Sequence, residues 1–262
     1  MNAASSHRTD GPLQRPLLSP QERDTLNRGR WFAALSPSLR HDILRLGRIT
    51  RYAHGELIAA QGEVTHEWFT CTSGAIRFRR TTAAGKQVTL VYAEPGIWVG
   101  EAEVLHGSTN TYNAHAHGPT TVLSLDEQSL RSLLLTHPTF GEALLTLQAR
   151  RMNLIYNIME DLATLPLRAR LAKRLLHLLH RFGLRDMGPG SSRAIGLSLA
   201  QDELACLVGG SRQRVNVELK WLEREGMISV RSRGIEVHDA ARLQTLVDEA
   251  SAESRATNIC DD

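Results

Sequence analysis

The stretch from Gly209 to Ile228, GGSRQRVNVELKWLEREGMI, decides how the rest of the chain is read. Val215, Leu219 and Leu222 recur at i, i+4 and i+7, the spacing of one apolar stripe on a helix, and Trp221 and Met227 extend the apolar content toward its end. Ser211 stands where a side-chain oxygen caps the first free backbone N–H groups. Gly226 stands where the chain can leave in a left-handed conformation, so the helix is predicted over about Ser211 to Glu225. Its outward residues near the start are Arg212, Gln213 and Asn216, with Arg214 and Val217 in the same two turns and Lys220 a turn later. Arginine can read a guanine edge with a pair of bonds, glutamine and asparagine can do the same for adenine, and lysine suits any phosphate.

A shorter helix is predicted just before, over roughly Gln201 to Val208 with Leu204, Leu207 and Val208 apolar, and Gly209-Gly210 turns the chain between the two. Ala200 is a weak cap for it, which leaves Ser198 as the candidate. Helix, glycine turn and polar-faced second helix make a helix-turn-helix, whose second helix enters the major groove. The residues that follow, MISVRSRGIEV, read as two short strands, Met227–Val230 and Ile235–Val237, around a turn carrying Arg231 and Arg233. A two-stranded wing tipped with arginines suits a phosphate backbone beside the groove. The ordinary alternative is a solvated face on an αα-hairpin, and the wing argues against it.

The 262 residues suffice for two domains. A net charge of +3 is too small to name nucleic acid as a partner, so the argument rests on where the charge lies. From Arg168 to Arg185 there are six cations (Arg168, Arg170, Lys173, Arg174, Arg181, Arg185) and no acid, on a helical pattern whose other side is leucine-rich. This is either a solvated face or a cationic flank to the helix-turn-helix. Cys71, Cys206 and Cys260 are far apart, so neither a zinc site, nor a cysteine-bound iron–sulfur cluster, nor a disulfide framework is suggested. No run of 18 apolar residues and no signal peptide occur, and the expected place is the cytoplasm.

Ser36-Pro37 opens a predicted helix from Pro37 to about Leu46. From Ile49 to Leu125 short β-favouring runs (ELIAA, EWFTCTSG, AIRFRR, QVTLVYA, TTVLSL) alternate with glycine-bearing turns, including Gly74 and Gly118, which predicts a β-sandwich or barrel. A long helix follows from about Thr139 to Thr164. Along it Leu144, Leu147, Arg151, Leu154, Ile158, Asp161 and Leu165 trace a spacing of 3-4-3-4 that suits a coiled-coil-like homodimer seam, with Leu147, Leu154 and Ile158 at its centre and Arg151 and Asp161 as imperfections. Pro166 breaks the helix and marks a hinge.

The expected fold is α+β, with a flexible segment over 1–30, a sensory β-roll of jelly-roll type over 31–137, a dimerisation helix over 138–165, a winged helix-turn-helix domain over 166–250 and a loose tail over 251–262. In this order, and in HGELIAAQGE (54–63), SGAIRF (73–78), PGIWVGE (95–101), ARRMNLI (149–155) and the opening stretch, the chain resembles the Crp/Fnr superfamily of bacterial transcription regulators. The resemblance implies a homodimer on a palindromic double-stranded DNA site, contact with RNA polymerase, and a small-molecule effector in the β-roll. It does not imply an enzyme.

The departures from the family pattern concern the effector. In cyclic-AMP-binding members a Gly-Glu pair is followed about ten residues later by Arg-Ser. Gly100-Glu101 matches the pair, but Asn110-Thr111 stands at the second place if one loop residue is deleted, and no arginine occurs between Arg80 and Arg131. Ile155-Tyr156 occupies the place of a Thr-Ser pair that faces the purine in those members. The cyclic phosphate would lose a charge-assisted bond, so cyclic AMP is not expected to be the effector, and the switch is another small molecule or none. On the DNA side Arg212 matches the family arginine, Gln213 stands for a glutamate, and Val217 stands for a base-contacting arginine, with Asn216 as a compensating reader. The alternative is a haem or redox sensor of the same superfamily, since His54, His66, His106, His115 and His117 lie in the sensory region. His115 and His117 with Glu101 and Glu103 have no metal-ligand spacing, no metal is predicted, and the cofactor remains open.

Overall fold

The computed structural model describes residues 17–64, 66–83, 85, 87–184, 192–231 and 234–259, with side chains as far as 254. Three helices come first, α1 (Pro20–Arg28), α2 (Arg30–Ala33) and α3 (Pro37–Leu46). The flexible segment expected over 1–30 therefore needs correction, because α1 is a built helix within it. Pro20 sits at its first turn, Ser19 and Glu22 cap one another's backbone N–H groups, and Leu26 is fully buried. Residues 1–16 lie outside the described ones.

An antiparallel sheet follows. It is built from β1 (Arg48–Tyr52), β2 (Leu57–Ala59), β3 (Glu67–Thr81), β4 (Gln87–Ala93), β5 (Trp98–Val99) and β6 (Asn113–Asp126), with the short helix α4 (Glu101–His106) between the last two. The strand order is β1-β6-β3-β4, with β2 also on β6 and β5 also on β3. Two of the turns expected from glycine are instead irregularities inside long strands. At Gly74 the register between β3 and β6 shifts on either side of Ser73, and the residue takes φ +79° with the Pro119 carbonyl oxygen so near that an added Cβ would clash with it. Only glycine fits such a bulge, and it bends the strand without ending it. One face of the sheet covers a core of Trp68, Trp98, Trp31, Phe32 and Phe140, in which Trp68 and Trp98 stack at 4.1 Å.

After α5 (Glu127–Thr136) the long helix α6 (Phe140–Thr164) runs 25 residues, and α7 (Leu167–Phe182) starts beyond Pro166. The DNA-side region continues with β7 (Arg193–Ala194), α8 (Gln201–Val208), α9 (Arg212–Arg224), β8 (Ile228–Arg231), β9 (Gly234–Val237) and α10 (Ala240–Ile259). The three strands form one sheet in the order β7-β9-β8, so the wing has a third strand that sequence patterning does not reveal. The tail expected to be loose from Ser251 is helical as far as Ile259, the continuation of a helix anchored by Leu243 and Val247. The core here packs α7, α8, α9 and α10 through Leu171, Leu175, Leu204, Val215, Leu219, Leu222 and Leu243.

Candidate nucleic-acid interface

Helix α9 is capped as its sequence demands. The Ser211 hydroxyl accepts the Arg214 N–H at 3.3 Å, and Gly226 takes φ +74° beyond its end. Val215, Leu219 and Leu222 are buried, while Arg212, Gln213, Arg214, Val217 and Lys220 are exposed and Asn216 is half-buried. Arg212 faces Asp202 of α8 at 3.6 Å, both side chains mostly in solvent, so this pair leaves the arginine available. Below the outward face, Arg168 of α7 donates to Glu218 at 2.7 Å, and its guanidinium lies 3.8 Å over the Trp221 ring. That clamp fixes α9 on α7 and neutralises the one acid among its first three turns.

The start of α8 corrects the expectation for its cap. Ala200 occupies the N-cap with no side-chain bond, and it is Glu203 that reaches back to accept the Ala200 N–H at 3.0 Å, so Ser198 does not serve. The turn between the two helices runs through Gly209 at φ +64°, where an added Cβ would stand 2.5 Å from the Leu162 side chain of α6. In the wing, the exposed Arg231 donates to Glu236 at 2.8 Å; Glu236 also accepts from Ser192 and Ser229, and the Ser192 bond first, then that of Arg231, hold its carboxyl below the ordinary value. Arg233 lies outside the described residues.

Most described cations of the basic run on α7 are engaged by partners within the chain, while Lys173 and Arg181 remain on its exposed side. Arg168 is engaged as described, Arg170 donates to the carbonyls of Val208, Leu162 and Leu165, Lys173 meets Asp161 at 2.6 Å, and Arg181 meets Glu94 at 2.9 Å. Arg174 is half-buried, and Arg185 lies outside the described residues.

The proposed effector residues are brought together only in part. Gly100 caps α4 at φ +98°, and the Glu101 carboxylate is buried. Its Oε1 accepts from Gln148 at 2.7 Å and from Arg151 at 2.5 Å, and Arg151 also donates to the Trp98 carbonyl. Burial pushes the Glu101 carboxyl up and the nearby Arg151 opposes it, while Oε2 is buried with no hydrogen bond. Ile155 and Tyr156 lie a turn beyond Arg151 on α6 and are exposed at 56% and 59%. Asn110 belongs to the loop before β6, where its backbone bonds Glu63 and Gly62, and Thr111 beside it is exposed. Sequence reasoning misses Gln148 and Arg151 as site residues. A signal for the second exists, since an arginine inside an apolar repeat implies a buried acid elsewhere.

The seam residues differ among themselves. Leu154 and Ile158 are exposed at 52% and 42%, and Met159 and Leu162 continue that apolar face, whereas Leu147 packs partly on the β-roll core. Leu144 is buried in that core, Asp161 pairs with Lys173 and Leu165 is buried, so the regular repeat read from the sequence mixes two surfaces. Among the histidines, His54 and His117 stack edge-on at 5.3 Å, with Tyr92 a further 5.0 Å from His117. Among the described residues no group of three or more His, Cys, Asp or Glu is placed to hold a metal, and no helix is long and apolar enough to cross a membrane.

Comparison with known proteins agrees with this architecture. Residues 49–137 match a cyclic nucleotide-binding domain, and residues 169–246 match a Crp-like helix-turn-helix domain. The chain is 28% identical over 220 residues to a CRP-like cAMP-activated global transcriptional regulator of Mycobacterium tuberculosis, covering 84% of this chain and 97% of that one. It is 29% identical over 195 residues to the cyclic AMP receptor protein of Thermus thermophilus, covering 74% and 86%. A solved transcriptional regulator of the CRP family, also from Thermus thermophilus, superposes with a TM-score of 0.63 at 26% identity, over 76% of this chain and 96% of that one. With a nucleotide-binding-type sheet, a connecting helix and a capped helix-turn-helix in that order, the chain belongs to the Crp/Fnr family of transcription regulators.

Proposed function

We propose that the chain acts in the cytoplasm as a homodimer on a palindromic double-stranded DNA site and acts on RNA polymerase there. Ser211, Arg212, Gln213, Arg214, Asn216, Val217 and Lys220 enter the major groove, and Arg231 and Arg233 flank the phosphates. The observation that carries the reading is the outward face of α9, where exposed base-reading and phosphate-binding side chains stand on a helix braced from behind by Arg168. The exposed apolar face of α6 through Leu154 and Ile158 supports the second copy.

The regulator takes a small-molecule effector other than cyclic AMP in the region of Gly100, Glu101, Asn110, Thr111, Ile155 and Tyr156. Three features support this. No loop arginine is available to a phosphate, Arg151 is already engaged by Glu101 and the Trp98 carbonyl, and Ile155 and Tyr156 offer bulk in place of small hydroxyls. The relatives named as cAMP-activated make calorimetry with cyclic AMP the direct check, with no measurable heat expected.

Titration of palindromic DNA at graded salt tests the main reading. Arg212→Ala should lose about 1–3 kcal/mol at one base position and relax its specificity. Lys220→Ala should weaken all sequences alike and flatten the salt dependence. Sequence-specific binding unchanged in Arg212→Ala would refute the assignment.

A further inference from the structure

Between Ser211 and Lys220 every apolar side chain is buried except one. Val215 is 0% and Leu219 2% exposed, whereas Val217 is 64% exposed. At about 100° per residue, the direction opposite the arc of Val215, Leu219 and Leu222 passes within about 15° of Val217 and about 30° of Gln213. Val217 thus stands at the middle of the outward face, one turn after Gln213 and flanked by Asn216 and Lys220. A β-branched residue there gains nothing for the helix itself. Its side chain has lower helix propensity than the straight-chain residues that suit solvent, and it contributes little burial to the fold. Nor is the neighbouring acid a complication, since Glu218 is drawn away to Arg168.

A valine cannot donate or accept a hydrogen bond, so it ignores every polar group on a base edge. The one apolar group the major groove presents is the 5-methyl of thymine. We propose that Val217 is a thymine reader, packing its methyl groups on that 5-methyl while Gln213, one turn earlier, takes the paired bonds of an adenine. Each half-site then carries an A·T pair under each of these two side chains, with the thymine methyl of one turned toward Val217. This inference rests on the DNA-binding reading of α9 given above. It deepens that reading from a surface to a base preference.

The test isolates a single methyl group. Sites are selected from a random duplex pool with micromolar full-length protein, and each thymine of the enriched half-site is replaced in turn by uracil, which removes the 5-methyl and changes no hydrogen-bonding group. At one position the replacement should weaken the wild type about four- to fifteenfold, the worth of one to two buried methyl-sized contacts. The same replacement should leave Val217→Ser unchanged, because that variant has already lost the contact. Val217→Arg should move the preference at that position toward guanine. Both substitutions lie on an exposed face, so folding is not at stake, and circular dichroism verifies it. An enriched site at which no uracil replacement separates the wild type from Val217→Ser overturns the thymine reading alone. Failure to enrich any sequence overturns the DNA-binding reading and this inference with it.

Discussion

Arg77 Nη1 of β3 lies 2.5 Å from Glu203 Oε1 of α8, and the two side chains are only 15% and 14% exposed. The pair ties the first helix of the helix-turn-helix to the β-roll of the same chain. Tyr92 of β4 extends the contact, joining the apolar cluster that includes Leu204, Ala205 and Val208. Arg181 and Glu94 make a second, more exposed link between α7 and the end of β4. Removing the Arg77 guanidinium leaves a largely buried carboxylate without its cation, a loss of about 1–3 kcal/mol. Arg77→Ala should therefore speed hydrogen exchange in α8 more than in α5, whose Leu130 and Leu133 pack in the separate core around Trp68 and Trp98. Equal exchange at α8 in the variant and the wild type would show that the ion pair does not hold the two regions together.

Acid should loosen the same contact. Glu203 is held below the ordinary carboxylate value of 4.5; burial alone would raise it, and the Ala200 N–H, Tyr92 and Arg77 together outweigh that. His117 is held below 6.5 by burial first and by Arg77 and His54, against Glu203 and the Ser198 backbone, which act the other way. Both folded values lie below the unfolded ones, so the stability each contributes is present above the unfolded value and is lost as pH falls through the folded one. The loss begins near 6.5 for His117 and near 4.5 for Glu203. Thermal melts from pH 7.5 to 5 should show a fall that His117→Gln flattens in the upper part of that window.

Glu101 predicts the opposite slope. Burial raises its carboxyl above 4.5 against the pull of Arg151, so its favourable contribution is present below 4.5 and is lost as pH rises through the folded value. Glu101→Gln keeps an acceptor for Gln148 and Arg151 and removes the charge that is costly to bury. The difference in melting temperature, variant minus wild type, should become more positive between pH 5 and pH 8. A difference that is flat across that range would mean the carboxylate is fully compensated by Arg151.

What the sequence made legible is what lies close along the chain. Caps, the glycine turn and an apolar stripe located α8 and α9 to within a residue or two, because each is fixed by neighbours three or four positions away. The same rule could have found α1, since Ser19-Pro20-Gln21-Glu22 carries a capping box with proline in the first turn. The partners of charged groups were not legible. Arg77 and Glu203 are 126 positions apart and Glu101 and Arg151 are 50 apart, and no periodicity links them. For that reason the basic run on α7 read as a surface feature although tertiary contacts absorb most of it. The long strands were cut short at Gly74 and Gly118 because a glycine in a bulge and a glycine in a turn look alike in a sequence.

The long helix gives the last prediction, because its apolar repeat divides between two partners. Leu147 packs against the core that holds Leu144 and Phe140, whereas Leu154 and Ile158, two and three turns further on, are buried by no partner among the described residues. A charge at either kind of position is costly, but for different reasons. Leu147→Asp sets a carboxylate against the β-roll core and should lower the unfolding midpoint at any protein concentration. Leu154→Asp is accommodated in the free chain and opposes only a second copy, so its folded content by circular dichroism should match the wild type while sedimentation at micromolar concentration changes from dimer to monomer. DNA affinity for a full palindrome should fall with it, and affinity for a single half-site should not, since each copy still presents its own α9. A wild type that sediments as a monomer both on and off DNA would remove the seam from the argument and leave the exposed face of α6 without an occupant.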